Sequence, residues 1–176
     1  MKFELQPTLS NELIKIQPLQ ENDFETLYKI ASDPLLWEQH PNKDRYKRDV
    51  FENFFKGAME SGGAFLVLDN TNGEVIGCSR YYYDFNEKEN AIVIGYTFIA
   101  RSHWGKGFNK ALKNLMLTHA FKFVDAVLFH IGANNIRSQK AIGNIGAKKI
   151  GEIEMEYYSE AKKLNFIYSI KKDNRI

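Results

Sequence analysis

Two glycines flank a lysine at Gly105-Lys106-Gly107, and their surroundings make this short stretch chemically informative. Residues 91–99, just before it, are apolar at nearly every position and rich in β-branched side chains, as in a strand covered on both faces. From Phe108 onward, apolar residues recur with helical spacing. A glycine-bearing loop between a strand and a helix directs free backbone N–H groups and the positive end of the helix dipole at one point. The stretch therefore predicts a site for an anion, most simply a phosphate.

The spacing of the glycines excludes two common phosphate loops. The sequence contains no Gly-x-x-x-x-Gly-Lys-Ser/Thr, and Lys110 stands where Gly-x-Gly-x-x-Gly would have its third glycine. The alternative to a phosphate site is a tight strand-to-helix turn that needs positive φ. A second pattern favours the phosphate site, because Asn135-x-x-Ser138-x-x-x-Ile142-x-x-x-Gly146-Ala147 follows after another buried strand.

The two patterns together resemble the GNAT N-acetyltransferase superfamily. In that family Gln/Arg-x-x-Gly-x-Gly/Ala opens the main helix after a central strand, and Asn-x-x-Ala/Ser-x-x-x-Tyr-x-x-x-Gly-Phe follows downstream. Residues 104–109 fall on the first motif and residues 135–147 on the second. Residues 73–77 and 94–96 are similar to the branch that contains ribosomal-protein N-terminal (alanine/serine) acetyltransferases. The resemblance extends over residues 12–171, which is nearly the whole chain.

The resemblance implies that acetyl-CoA is the cosubstrate and that no metal takes part. The loop is expected to bind the pyrophosphate, while the end of the central strand splays from its parallel neighbour and hydrogen-bonds the pantetheine amides. The implied cofactor-binding residues are Thr97, Phe98, Ile99, Trp104, Gly105, Lys106, Gly107, Phe108, Asn109, Asn135 and Ser138. Asn135 is also expected to cap the helix that follows it.

The sequence departs from the family pattern at several positions. Trp104 replaces the Gln/Arg of the loop and Asn109 replaces its closing Gly/Ala, which changes side chains but leaves the backbone donors. Ile142 stands where many members carry a tyrosine that acts as general acid, and Ala147 replaces the phenylalanine. Cofactor binding is therefore expected to be retained, while another group must assist the departing thiolate, or the thiolate leaves unassisted.

The predicted catalytic residues are Ser138, Tyr96 and His130. Ser138 lies one turn into its helix, where its hydroxyl could donate to the CoA thiolate; the alternative is a solvated helix serine. His130 ends a strand and could act as a base, although a hydrogen-bonded structural histidine is the commoner case. Tyr96, with Tyr157 and Tyr158, is a further hydroxyl donor. Cys78 is expected to be a small core residue.

Several elements must position these residues. Strands are predicted at residues 13–16, 65–68, 75–83, 91–99, 126–131, 149–156 and 164–171. Helices are predicted after Asn22, which would form a capping box with Glu25, and from Asp49, Phe108 and Asn135. Strand, crossover helix and strand around Phe108 imply a parallel pair. The loops at residues 34–47, 83–90 and 155–163 are expected to contact the acceptor.

Composition limits the remaining choices. The chain has 176 residues, of which 14% are aromatic, and its formal net charge is +2. Charges of both signs are interspersed, so no basic face indicates nucleic acid. A single cysteine excludes an internal disulfide, and the sequence shows neither a signal peptide nor an apolar run of about 20 residues for a bilayer. We expect a cytoplasmic protein with no nucleic-acid or membrane partner.

We predict a mixed α/β (α+β) fold, with residues 1–176 forming a single GNAT-like domain. Its sheet is expected to be mostly antiparallel, with about seven strands, a central splayed parallel pair and about four helices. The predicted activity is direct, acetyl-CoA-dependent N-acetylation of a primary amine, either a protein N-terminus or a small molecule. The alternative, suggested by Ile142, is an inactive acyl-CoA-binding sensor or interaction module. A homodimer is left open.

Overall fold

The computed structural model describes residues 2–83, 90–157 and 160–174. Within these residues the α-helices are α1 (Phe24–Ala31), α2 (Arg48–Glu60), α3 (Phe108–Ala120) and α4 (Ile136–Gly143). The strands are β1 (Leu9–Ser10), β2 (Ile14–Pro18), β3 (Ala64–Asp69), β4 (Val75–Tyr82), β5 (Ala91–Ile99), β6 (Ala126–Gly132), β7 (Lys148–Met155) and β8 (Lys163–Lys171). Short 3-10 helices lie at Glu21–Asp23, Pro34–Trp37, Lys43–Tyr46, Arg101–His103 and Lys172–Asn174.

All eight strands of the described residues join one sheet in the order β1-β2-β3-β4-β5-β6-β8-β7. Strands β5 and β6 are parallel and every other neighbouring pair is antiparallel. The parallel pair follows from the crossover through α3, because a chain that leaves one end of a strand must return along a helix to begin a parallel neighbour. The predicted mixed fold with a central parallel pair is confirmed.

Helices cover both faces of the sheet. One apolar cluster joins α3 and α4 to inward-facing residues of the strands, including Ile76, Ile94 and Val127. A second cluster joins α1 and α2 to the opposite face, where Cys78 and Phe98 point. Ile76 and Cys78 on β4, like Ile94 and Phe98 on β5, are an even number of residues apart, so simple alternation would put each pair on one face; a register shift within each strand turns them to opposite faces. Cys78 is a buried core residue, as predicted.

The centre of the sheet is irregular in two respects that shape the cleft. Pairing between β5 and β6 ends at Val93 and Leu128, so the two strands diverge beyond that point. Between β4 and β5, Cys78 pairs with Phe98 whereas Arg80 pairs with Gly95, which leaves β5 with an extra residue and a β-bulge. Tyr96 lies in this bulge with a φ of 52°. A positive φ at a bulky residue is strained and is typical of functional sites.

The beginning of the chain differs from the prediction. Asn22 lies inside the 3-10 turn Glu21–Asp23 and does not cap α1. The Asp23 carboxylate instead accepts a hydrogen bond from the backbone N–H of Gln20, at 2.8 Å, because the chain enters this helix one turn earlier. The two-residue strand β1 was not predicted, since so short an edge strand carries no periodicity.

Candidate active site

A cavity of about 500 Å³ occupies the gap between the diverging ends of β5 and β6. All of the predicted cofactor residues except Lys106 line it, namely Thr97, Phe98, Ile99, Trp104, Gly105, Gly107, Phe108, Asn109, Asn135 and Ser138. The predicted catalytic residues Ser138, Tyr96 and His130 line it as well. The cavity extends to both faces of the sheet, because its walls include α3 and α4 on one side and Trp37 and Arg45 on the other.

The glycine loop closes one end of the cavity. Gly105 and Gly107 have φ angles of 72° and 85°, which only glycine adopts at low cost. A Cβ on either would meet nothing within 4 Å, so the requirement is conformational and the space above the loop is open. Gly107 is the N-cap of α3, and the first N–H groups of that helix therefore face this space. The loop has the geometry of an anion site.

Trp104, a departure from the family motif, fixes the loop to the strand that precedes it. Its indole Nε1 donates to the carbonyl of Ile99 at 2.8 Å. The guanidinium carbon of Arg137 lies 4.1 Å from the centre of the indole ring, in a cation–π contact. Partial burial lowers the pKa of Arg137. Lys110 also lines the cavity, so two cations stand beside the free N–H groups.

Helix α4 begins as predicted. The Asn135 side chain is buried and its Oδ1 accepts a hydrogen bond from the Ser138 backbone N–H at 3.1 Å. Ser138 is half-buried and faces the cavity, while Ile142 contributes an apolar wall. All three lie on the α3–α4 side of the sheet. The position that carries a tyrosine in many family members therefore supplies no proton here.

The opposite side of the cleft is aromatic. The hydroxyl of Tyr82 lies 3.2 Å from His130 Nδ1. The rings of Tyr82 and Tyr96 are 5.3 Å apart, and those of Tyr96 and Tyr157 are 5.0 Å apart. Burial raises the pKa of Tyr96, so its hydroxyl remains protonated. The structure thus brings Tyr96 and His130 together through Tyr82, on the α1–α2 side, and places Ser138 on the other.

The strand tyrosines divide as alternation predicts. Tyr82 lines the cleft, whereas Tyr81 is fully buried and donates a hydrogen bond from its hydroxyl to the Met116 carbonyl. Tyr83 is exposed. Tyr158 and most of the predicted contact loop at residues 83–90 lie outside the described residues. The loop at residues 34–47 does line the cleft, partly through two 3-10 turns.

Sequence reasoning missed Arg45, which lies in this aromatic wall with 3% of its surface exposed. Its guanidinium carbon is 5.0 Å from the ring centre of Phe54 and 5.2 Å from that of Tyr157. Nη2 pairs with the Glu160 carboxylate at 3.3 Å. Burial and the neighbouring Arg45 hold the pKa of His40 well below its usual range. Arg45 stands among charged neighbours in sequence, a pattern typical of a solvated loop, so no signal marks it.

Lys113 was also missed. It is 5% exposed, lines the cavity from α3 and donates from Nζ to the Thr97 hydroxyl at 2.5 Å. That hydroxyl lies 2.7 Å from the hydroxyl of Ser79. Burial lowers the pKa of Lys113 to about 7. One signal was available, because Lys113 precedes Met116 and Leu117 by three and four residues and therefore lies on the apolar stripe of the helix.

The other polar groups of the described residues form no further catalytic or metal site. His103, in the loop before α3, is half-buried against the ring of Phe108 and lies 3.5 Å from the Asp69 carboxylate, because the loop folds back onto the helix it precedes. Burial raises the pKa of Cys78 to about 11, so it is not an activated thiolate. Residues 2–83, 90–157 and 160–174 contain no group of three or more His, Cys, Asp or Glu side chains placed to hold a metal ion. No helix among them could span a bilayer.

A strand-to-helix anion loop, a splayed parallel pair and a capped helix beside the gap define a cleft of the CoA-dependent acyltransferase type. Comparison with family models matches residues 14–148 to the acetyltransferase (GNAT) domain. The chain therefore belongs to the GNAT acetyltransferase family, whose members transfer an acyl group from acetyl-CoA. No curated protein matches the sequence.

Solved structures show the same fold at low sequence identity. A probable GNAT-family acetyltransferase from Chromobacterium violaceum superposes with a TM-score of 0.82 at 17% identity, covering 98% of this chain and 90% of that one. RimJ from Mycobacterium smegmatis in complex with CoA-disulfide gives 0.69 at 16% identity, covering 91% and 82%. Spermidine N-acetyltransferase from Vibrio cholerae, in complex with CoA and spermine, gives 0.67 at 16%, covering 93% and 98%.

Proposed function

We propose that this acetyltransferase moves the acetyl group of acetyl-CoA directly to a primary amine, in a ternary complex. One observation carries the proposal. The gap between β5 and β6 opens to an anion-binding loop on the α3–α4 side and to an aromatic pocket on the α1–α2 side. A cofactor and an acceptor can therefore enter from opposite faces and meet at the centre of the sheet, without a covalent enzyme intermediate.

The cofactor lies on the α3–α4 side in this proposal. Its pyrophosphate sits over Gly105 and Gly107, where the backbone N–H groups of α3 and the cations of Lys110 and Arg137 meet it. The pantetheine arm enters the gap and pairs with the edge of β5 that β6 leaves free beyond Val93. Two structural neighbours were solved with CoA or a CoA derivative, which supports this placement.

Catalysis is assigned chiefly to positioning, because holding amine and thioester in contact removes most of the entropic barrier. Backbone N–H groups at the β5 bulge around Tyr96, where the register with β4 shifts, polarise the thioester carbonyl. The Ser138 hydroxyl donates a hydrogen bond to the departing thiolate. On the acceptor side, the Tyr82–His130 pair or a water held by it takes the proton of the amine.

The acceptor is either a protein N-terminus or a small amine. An α-amine with a pKa near 8 is partly neutral at pH 7, whereas a lysine-type amine near 10.4 is almost wholly charged, so an N-terminal acceptor demands less of the base. The neighbours include both RimJ, which fits the ribosomal-protein branch, and a spermidine acetyltransferase. The charge of Arg45 in the aromatic pocket is compensated by Glu160, so the lower pKa of an α-amine is the argument that favours the N-terminal class.

The experiment is a release assay for free CoA thiol with acetyl-CoA and a panel of peptides and small amines. Mass spectrometry then identifies any acceptor that gains one acetyl group. Turnover with a peptide and acetylation of its α-amine support the proposal. Binding of CoA, seen by calorimetry, with no turnover on any acceptor would instead support a cofactor-binding sensor. Acetylation of polyamines alone would contradict the N-terminal class.

A further inference from the structure

Lys113 is a buried cation for which the described part of the chain provides little compensation. An ammonium group has three donors, and Lys113 uses one of them in a hydrogen bond to the Thr97 hydroxyl at 2.5 Å. The elements that face Nζ contribute only Thr97 on β5, Ser79 behind it on β4 and the ring of Phe129 on β6, whose centre is 5.9 Å away. None of these side chains carries a negative charge.

Such a group is costly unless something pairs with it. Burying an ammonium without a counter-charge is so unfavourable that the pKa of the group falls and its neutral form becomes populated. For Lys113 desolvation is the sole cause of its lowered pKa, with no carboxylate to oppose it. An apolar side chain would fill the same place on α3 without this cost. The amine and its two spare donors are therefore explained best by a ligand that is negatively charged, or becomes so, in the cavity.

The position of Nζ identifies the part of the cavity concerned. Thr97 lies beyond Val93 and Phe129 beyond Leu128, which are the last residues paired between β5 and β6. Lys113 Nζ contacts the Thr97 hydroxyl and lies beside the Phe129 ring, so it reaches the gap between the diverging strands from the α3–α4 side. Ile142 borders the same cavity from α4, on the same side of the sheet. The amine thus approaches from the face on which a proton donor is missing.

We propose that Lys113 is the general acid of the acetyl transfer, giving its proton to the sulfur of CoA. This inference rests on the proposed function, since it places the thioester in the gap. The acceptor nitrogen attacks the carbonyl carbon, and the C–S bond breaks with its electron pair going to sulfur. The Lys113 ammonium protonates that sulfur, the new amide nitrogen loses a proton on the acceptor side, and solvent reprotonates Lys113 when CoA leaves.

The pKa of Lys113 and that of the CoA thiol favour proton transfer in this direction. A thiol has an ordinary pKa of about 8.5, so an ammonium with a pKa near 7 gives its proton to a thiolate downhill. An exposed lysine, with a pKa of about 10.4, would not. The neutral amine and neutral thiol that result are also the pair that a low-dielectric site tolerates best. Ser138 remains a hydrogen-bond donor to the same atom and supplies no proton.

The test compares Lys113→Met, which keeps length and apolar bulk, with Lys122→Met, which removes an exposed lysine just after α3. Single-turnover acetyl transfer by Lys113→Met should slow by about 10²–10³, the scale of losing a positioned proton donor. Binding of acetyl-CoA, measured by calorimetry, should change by less than about threefold. Lys122→Met should behave as the wild type. A rate for Lys113→Met within threefold of the wild type overturns the proposal.

A second measurement needs no variant. With Lys113 as acid, the single-turnover rate of the wild type should fall at high pH, once the ammonium in the ternary complex loses its proton. The residual rate of Lys113→Met should lack this fall, which a structural role could not produce. A wild-type rate that only rises up to about pH 10, near the ordinary pKa of lysine, overturns the proposal. If acetyl-CoA fails to bind the wild type at all, the proposed function fails, which is a different result.

Discussion

Replacing Lys113 by methionine should stabilise the protein at neutral pH. In the folded chain burial lowers the pKa of Lys113 from 10.5 to about 7. The unfolded chain therefore binds more protons than the folded one at every pH between these values, and the free energy of unfolding rises with pH across that window. The penalty is present in full below pH 7 and is gone above pH 10.5. Methionine, which does not titrate, removes it.

The size of the effect follows from the same shift. Each pKa unit corresponds to about 1.4 kcal/mol, so a displacement of three to four units gives roughly 4 kcal/mol at pH 7. The variant also loses the hydrogen bond to Thr97, which costs about 1 kcal/mol. Lys113→Met should thus unfold with a free energy about 3 kcal/mol above the wild type at pH 7. The advantage should vanish, or reverse slightly, near pH 10.5.

The assay is urea unfolding of both proteins at several pH values from 6 to 10, without ligand. The difference between their free energies of unfolding should decrease steadily with pH, by up to about 1.4 kcal/mol per unit. Lys122→Met, which removes an exposed lysine, should give a difference that does not change with pH. Parallel curves for Lys113→Met and the wild type would show that the amine is solvated in the folded chain, and the account of its burial would be wrong.

Three further predictions concern other parts of the cleft. CoA at about 100 times its dissociation constant should add roughly 2.7 kcal/mol of stability and raise the melting temperature by about 5–10 °C. Gly107→Glu should abolish this rise, while Gly73→Glu, at a turn glycine of similar positive φ outside the cavity, should keep it; equal responses would refute the loop assignment. Ser138→Ala should lower kcat by about 10²–10³ with little change in CoA affinity, and a kcat within about threefold would make Ser138 only a helix residue. Arg45→Met should lower the free energy of unfolding by about 3 kcal/mol in urea titrations, because it leaves the Glu160 carboxylate unpaired in an aromatic pocket; an unchanged midpoint would contradict the ion pair.

Much of the structure on the α3–α4 side of the cleft could be predicted from sequence because its signals are local. The loop glycines, the apolar strand before them and the helix after them lie within one stretch, and each follows its own short-range rule. The Asn135 cap is local as well, and the structure has it as predicted. The splay of the parallel pair came from the resemblance, and the end of pairing at Val93 agrees with it.

On the α1–α2 side, the sequence pointed to the loop at residues 34–47, to Tyr96 and to Tyr157, but their arrangement could not be predicted, because these residues come from distant segments. Arg45, Tyr82, Tyr96 and Tyr157 meet only once the sheet and the 3-10 turns have formed. Whether a charged side chain is buried depends on partners of this kind, and so a sequence pattern treats it as solvated. The prediction that Asn22 caps α1 was wrong for a similar reason, since the approach of the chain adds the 3-10 turn Glu21–Asp23 before the helix, and there Asp23 accepts the hydrogen bond of the Gln20 N–H.

Contact between the end of β6 and the segment at residues 34–47 makes the breadth of the aromatic pocket depend on a single residue, Gly132. A Cβ at Gly132 would lie 2.3 Å from the Cγ of Pro41, and the proline ring has no rotamer by which to withdraw. Any side chain at position 132 must therefore push the whole segment outward, together with the Trp37 and His40 walls that it carries. The start of α4 would move as well, because the Gly132 carbonyl accepts a hydrogen bond from the Asn135 N–H at 2.8 Å and Gln39 Oε1 accepts one from the Arg137 N–H at 3.0 Å. Glycine at position 132 thus ties the width of the pocket to the position of α4, and a larger residue there would alter both sides of the cleft together.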